Sequence, residues 1–127
     1  MGIFYTFLTA LFLSMGTPQS APYAKVETAF EQNNANAIVS LSKDKVLINI
    51  LGTEGAYSKS QAILVIKDFF TKKPGNSFDF MFKGEESSEG SFAIGTYVSK
   101  SERFRITLHF KKIGNEFKIE SLSVEKA

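Results

Sequence analysis

The sequence predicts an α+β domain in which N-terminal helices pack on the apolar face of an antiparallel sheet. Two observations carry this. Apolar residues recur at spacings of three and four as far as Phe70, and from Ser77 the period switches to two. Short polar turns then divide the second half into consecutive strands, the pattern of a meander with one buried face. Helices that precede such a sheet bury their own apolar stripes against it. A length of 127 residues suits one domain, and 13 phenylalanines with only 22% charged residues exclude a disordered chain. The absence of cysteine excludes a disulfide framework, a thiolate zinc site, an iron–sulfur cluster, a cysteine nucleophile and a lipid-anchor cysteine. A net charge of +2 gives little electrostatic reason to expect nucleic acid.

Every charged side chain lies from Lys25 onward. Ile3 to Met15 (IFYTFLTALFLSM) is an apolar run, too short for the roughly 20 residues of a spanning helix. Small residues follow it, with cuts expected after Gly16, Ser20 or Ala21, although none is a clean A-x-A and the n-region lacks a basic side chain. The expectation is a signal peptide over residues 1–21 and a single domain over 22–127, exported to the periplasm or beyond. An uncleaved membrane anchor or a buried N-terminal helix are the other readings of this run. Membrane contact is expected only through an uncleaved signal segment.

Tyr23, Val26, Ala29 and Phe30 form one face of a first helix, with Pro22 tolerated in its first turn. Asn33 to Asn36 breaks it, and Asn36 is the expected N-cap of a short second helix through Leu41. Lys43 to Lys45 reads as a solvated turn. Val46 to Leu51 reads as a strand, ended by Gly52 and Gly55. Ser58 and Gln61 make a capping box for a long helix carrying Ala62, Ile63, Val65, Ile66, Phe69 and Phe70, stopped at Lys72-Lys73-Pro74-Gly75. Four strands follow. Their inward sets are expected to be Phe78, Phe80 and Phe82; Phe92, Ile94, Thr96 and Val98; Phe104, Ile106, Leu108 and Phe110; then Phe117 and Ile119. Leu122 and Val124 are out of phase with the last pair, which calls for a bulge or for a strand buried on both faces.

This order resembles the nuclear transport factor two-like (cystatin-like, SnoaL-like) superfamily. The resemblance implies a cone-shaped fold, with the helices packed on a strongly curved antiparallel sheet. Ala29 to Ile38 (AFEQNNANAI) looks like that fold's first two helices and the polar turn between them. GAYSKSQAILVIKDFF (Gly55–Phe70), FAIGTYVS (Phe92–Ser99) and RITLHFKKIGNEFKIESLSVE (Arg105–Glu125) are similar to an uncharacterised exported bacterial family, domain of unknown function 4783. The resemblance spans about residues 24–126 and implies no catalytic motif.

Chemistry is sparse. His109 shares a strand face with Arg105, Thr107 and Lys111, opposite the apolar set, so it is expected to look out of the sheet. One histidine without cysteine or paired carboxylates is a poor metal set. Asp44, Asp68 and Asp79 fall in a turn, on an outer helix face and on a polar strand face. Glu85 to Glu89 lacks the alternating oxygen pattern of a calcium loop, and Gly52 to Gly55 lacks the residues of a phosphate cradle. The basic stripe of Arg103, Arg105, Lys111 and Lys112 reads as a solvated outer face. No catalytic residue, metal or cofactor is therefore assigned. A stripe of phenylalanines at strand period reads first as plain core. The alternative is an apolar pocket at the mouth of the cone lined by some of Phe30, Phe69, Phe82, Thr96, Phe104 and Phe110, with Thr96 the only polar position before Ser121 and Ser123. The leading reading is an exported, non-enzymatic module that binds a small apolar ligand or a partner protein. A cone-fold isomerase, dehydratase or lyase is the alternative, and a structural homodimer joined through Arg105, Thr107 and His109 is the third.

Overall fold

The computed structural model describes residues 20–127, so the apolar run Ile3–Met15 lies outside the described residues. The elements are α1 (Tyr23–Glu31), α2 (Ala35–Ser40), β1 (Ser42–Ile50), β2 (Thr53–Ser58), α3 (Lys59–Lys72), β3 (Ser77–Lys83), β4 (Gly90–Ser99), β5 (Glu102–Ile113) and β6 (Glu116–Lys126). The strands form one curved six-stranded sheet in the order β2-β1-β6-β5-β4-β3, with the helices on one side. All neighbouring pairs are antiparallel except β1 and β6, which run parallel. The α+β expectation and the four-strand meander hold; the parallel pair and the hairpin β1–β2 were not foreseen.

Local chemistry sets the boundaries. Ser58 accepts from the Gln61 amide while the Gln61 side chain accepts from the Ser58 amide, so α3 starts where the capping box places it. The cap of α2 is Asn34 rather than Asn36, its side chain accepting from the Ala37 amide at 3.0 Å. Strand β1 starts at Ser42 and takes in Lys43 to Lys45. Leu51 (φ 52°) and Gly52 (φ 95°) then form a two-residue hairpin turn. A leucine at the first position hides this turn from sequence reading, and β2 with it.

The inward phase of β4 is the reverse of the expectation. Ala93, Gly95, Tyr97 and Ser99 are buried, and Phe92, Ile94, Thr96 and Val98 face outward. Close packing is the reason: a Cβ on Gly95 would stand 2.4 Å from the Phe78 ring, so only glycine admits that ring. Tyr97 fills the space beyond. Its hydroxyl donates to the Lys73 carbonyl at 2.7 Å and accepts from the Asn33 side chain at 3.1 Å. Asn33, in the left-handed region at φ 52°, also accepts from the Gly75 amide at 3.2 Å. One buried phenol therefore ties the end of α1, the end of α3 and the sheet together.

Three register shifts interrupt the sheet, one between Ser42 and Leu47 of β1 against β6 and two bulges that set the faces of β3 and β6. Met81 is the extra residue of β3, between the Phe80–Gly95 and Phe82–Ile94 pairs, and it turns Phe82 to the outer face. Glu120 is the extra residue of β6, between the partners of Phe110 and His109, so Phe117, Ile119, Leu122 and Val124 all face inward. The bulge is thus the answer to the broken phase of the last strand. It also places Ser121 and Ser123 on the outer face, opposite His109 and Thr107.

Between sheet and helices the aromatic side chains pack on one another. Phe30 stacks on Phe78 at 4.7 Å and meets Phe70 edge-on at 5.7 Å, and Phe69 meets Phe104 edge-on at 5.4 Å. Tyr23 stands edge-on to Phe80 and Phe110. These T-shaped and offset contacts fill the cone as a core.

Candidate functional site

The six residues of the pocket alternative do not converge on one. Phe30, Phe69, Phe104 and Phe110 are buried in the core, which is the plain-core reading of these phenylalanines rather than the pocket reading. Phe82, 48% exposed, lies outside beside Phe92, because the Met81 bulge reverses its face. Thr96 is also outside, its hydroxyl 2.7 Å from the Met81 sulfur. Phe69 alone also borders an opening.

That opening is a cleft of about 560 Å³ between α3 and the β1–β2 hairpin. Ile50, Tyr57, Val65 and Phe69 supply its apolar lining, and Leu51 and Leu64 stand at its edge. The hairpin turn fixes Leu51, whose amide donates to the Val124 carbonyl at 2.9 Å while its side chain stays exposed. Leu64 is 67% exposed on α3, off that helix's buried stripe. An apolar residue on the polar side of an amphipathic helix was the one sequence signal for this cleft. The turn that brings Leu51 opposite it had none.

The charged groups of the lining come from the C-terminal half of α3 and its cap, and Thr53 adds a hydroxyl from the hairpin. Lys72 pairs with Asp68 at 3.0 Å, and Lys73 with Glu102 at 2.6 Å, Lys126 adding a second cation 3.6 Å from Glu102. The hydrogen bond from Lys73 holds the Glu102 carboxyl below the usual range, helped by the charge of Lys126. Asp68 is the carboxylate of the lining and is already engaged by Lys72. Such a cleft offers apolar contact along its length and, at the C-terminal end of α3, two lysines each already shared with a carboxylate, Lys72 with Asp68 and Lys73 with Glu102. Among the described residues no three His, Asp or Glu side chains come together as a metal site, and no helix is long and apolar enough to cross a membrane.

His109 stands on the outer sheet face, exposed and stacked on Phe92 with ring centres 5.8 Å apart. Thr107, Ser121 and Ser123 surround it in a shallow depression of about 350 Å³ that also reaches Leu47 and Asn49.

Residues 23–125 match the family model described as Domain of unknown function (DUF4783). The chain belongs to the DUF4783 family. The crystal structure of a DUF4783 family protein from Bacteroides ovatus is similar over 82% of this chain and 94% of that one, at 29% identity and a TM-score of 0.76. A second, from Bacteroides uniformis, is similar over 85% and 98% of the two chains, at 25% identity and a TM-score of 0.77. An NTF2-like protein of unknown function from Shewanella baltica shares the fold at 10% identity, covering 83% of this chain and 87% of that one with a TM-score of 0.64. Among curated proteins, none matches this chain. The DUF4783 chain thus has the cystatin-like, NTF2-like architecture implied by its resemblance.

Proposed function

We propose that this DUF4783 domain is an exported, non-enzymatic module that holds a small apolar molecule with an anionic end in the cleft between α3 and the β1–β2 hairpin. The observation that carries the reading is the pairing of exposed Leu51 and Leu64 across an apolar cleft whose far end presents Lys72 and Lys73. Single exposed leucines are ordinary, but apolar side chains gathered on an apolar cleft mark a surface that another molecule covers. Anilinonaphthalene sulfonate, an aromatic body with one anionic group, is a suitable probe. It is expected to bind saturably at one site per chain. Leu64→Gln should weaken it by at least about tenfold, since covering one leucine contributes roughly 1.5–3 kcal/mol. The same variant should leave the thermal midpoint unchanged, because Leu64 is 67% exposed and surface substitutions change stability little. Equal affinity in the two proteins would remove the cleft as the binding site.

A second reading, a homodimer through the outer sheet face, has an observation of its own. Phe92, Phe82 and Met81 are exposed beside His109, and the same face carries both Arg105 and Glu125, so a two-fold copy can meet it with opposite charges. Sedimentation equilibrium should then show a dimer in the parent protein and a monomer in Phe92→Glu. A monomeric parent protein removes this reading.

A further inference from the structure

We infer that Glu86 is the receptor for a new N-terminus: cleavage between Ser20 and Ala21 turns the Ala21 nitrogen into an α-ammonium that pairs with the Glu86 carboxylate. The inference rests on the export reading, and the geometry selects one of the three candidate cuts. The Ala21 nitrogen donates to Glu86 Oε2 at 3.0 Å across 65 residues of sequence. Ala21 is only 4% exposed and belongs to the core, whereas Ser20 is exposed. From Ala21 onward the backbone is bound into the fold, the Ala21 carbonyl accepting from the Tyr23 amide and the Pro22 carbonyl from the Val26 amide.

The exposed loop that carries this carboxylate is hydrogen-bonded within itself and to β4. Glu86 sits in the β3–β4 connection, where the Ser87 amide and hydroxyl both donate to the Gly90 carbonyl and the Gly84 amide donates to the Phe92 carbonyl. Glu85 to Glu89 are all exposed at the tip of the β3–β4 hairpin, and the backbone around them is hydrogen-bonded into a folded loop. Tyr23 faces the same carboxylate. Its hydroxyl is buried without a hydrogen-bond partner, and burial pushes the phenol above its ordinary value.

Hydrolysis adds water across the Ser20–Ala21 peptide bond. The water oxygen joins the Ser20 carbonyl carbon, leaving a carboxylate there, and protons pass to the Ala21 nitrogen, which becomes an ammonium. A signal peptidase acting before the chain folds is the agent, since the folded chain buries Ala21. A cut after Gly16 leaves Ala21 a neutral amide with one N–H. A cut after Ala21 removes the bonded nitrogen altogether. Only the cut after Ser20 creates a cation against Glu86, and charge-assisted hydrogen bonds are about twice as strong as neutral ones. It places the mature boundary one residue before the 21/22 boundary expected from sequence.

Besides Glu86, the charged groups around this end are Lys83 on β3, which lies over the Tyr23 ring, Lys25 on α1, and Glu116 and Lys118 at the start of β6. An ammonium facing a carboxylate has its folded-state pKa raised above its unfolded value of about 8. The added stability is therefore complete below that pH and is lost as pH rises through the folded value.

The test uses chains of residues 21–127, which hold every element and core residue described, with the Ala21 amine either free or acetylated. At pH 7 the free-amine chain should melt about 2–5 °C above the acetylated one. The difference should vanish at pH 10 and in Glu86→Gln. Equal melting at pH 7, or a difference that survives Glu86→Gln, overturns the ion pair. N-terminal sequencing of protein from the native host should begin at Ala21. A start at Thr17 overturns the cut but keeps export, and a full-length cytoplasmic product overturns the export reading itself.

Discussion

Phe30→Ala is expected to lower the stability of the domain by about 3–5 kcal/mol, read as a fall in the denaturant midpoint at constant slope. Phe30 is 1% exposed and lies where α1, α3 and the sheet meet. Its ring stacks on Phe78 at 4.7 Å, meets Phe70 at 5.7 Å and reaches Tyr97 at 6.0 Å. No neighbour can close the void, because Phe78 is held against Gly95 and Tyr97 by its hydrogen bonds to Lys73 and Asn33. The nine-residue α1 is too short to be stable alone, so its position depends on this contact. A domain of this size has roughly 5–15 kcal/mol in all, and such a loss puts it near the unfolding threshold. A cost under about 1 kcal/mol would mean that Phe30 does not hold α1 to the sheet.

What could be read from the sequence follows from how local each determinant is. The capping box at Ser58 and Gln61 and the stripe behind it fix α3 within a few residues, and α3 appears where that pattern puts it. The alternation Phe104, Ile106, Leu108, Phe110 likewise fixes the faces of β5, since only those positions alternate with charged and polar ones. Strand β4 had no such contrast. Phe92, Ile94 and Val98 compete with Ala93, Gly95 and Tyr97, and size favours the wrong set. The choice is made by a non-local fact, the Phe78 ring against Gly95, which forces the small residues inward. Phe82 was misplaced for a related reason: the Met81 bulge leaves no mark in an unbroken run of alternating Phe. The candidate site was the least legible part. Its floor contains Phe69, which periodicity found, but its edge depends on the Leu51–Gly52 turn, and a leucine with positive φ has no composition signal.

Leu108→Ala is expected to cost about 2–5 kcal/mol, while its neighbour His109→Ala should change stability by less than about 0.5 kcal/mol. The two positions are adjacent on β5 and differ only in the face they present. Leu108 is fully buried and pairs with Leu122 and Ala93 across the sheet, both themselves buried. His109 pairs with Ser121 and Phe92 on the outer face and stacks on the Phe92 ring. Removing the leucine leaves a hole beneath the helices, where the surrounding aromatic core relaxes only in part. Removing the imidazole gives up one exposed stack in water, worth little to a monomer. A one-residue slip of β5 would exchange the two outcomes, and would also drive Phe104, Ile106 and Phe110 into solvent together. Denaturant melts of the two variants therefore measure the register of the central strand. If His109→Ala is the more damaging substitution, the outer face carries an interaction that the single chain does not contain, and the homodimer reading gains at the expense of the ligand-binding one.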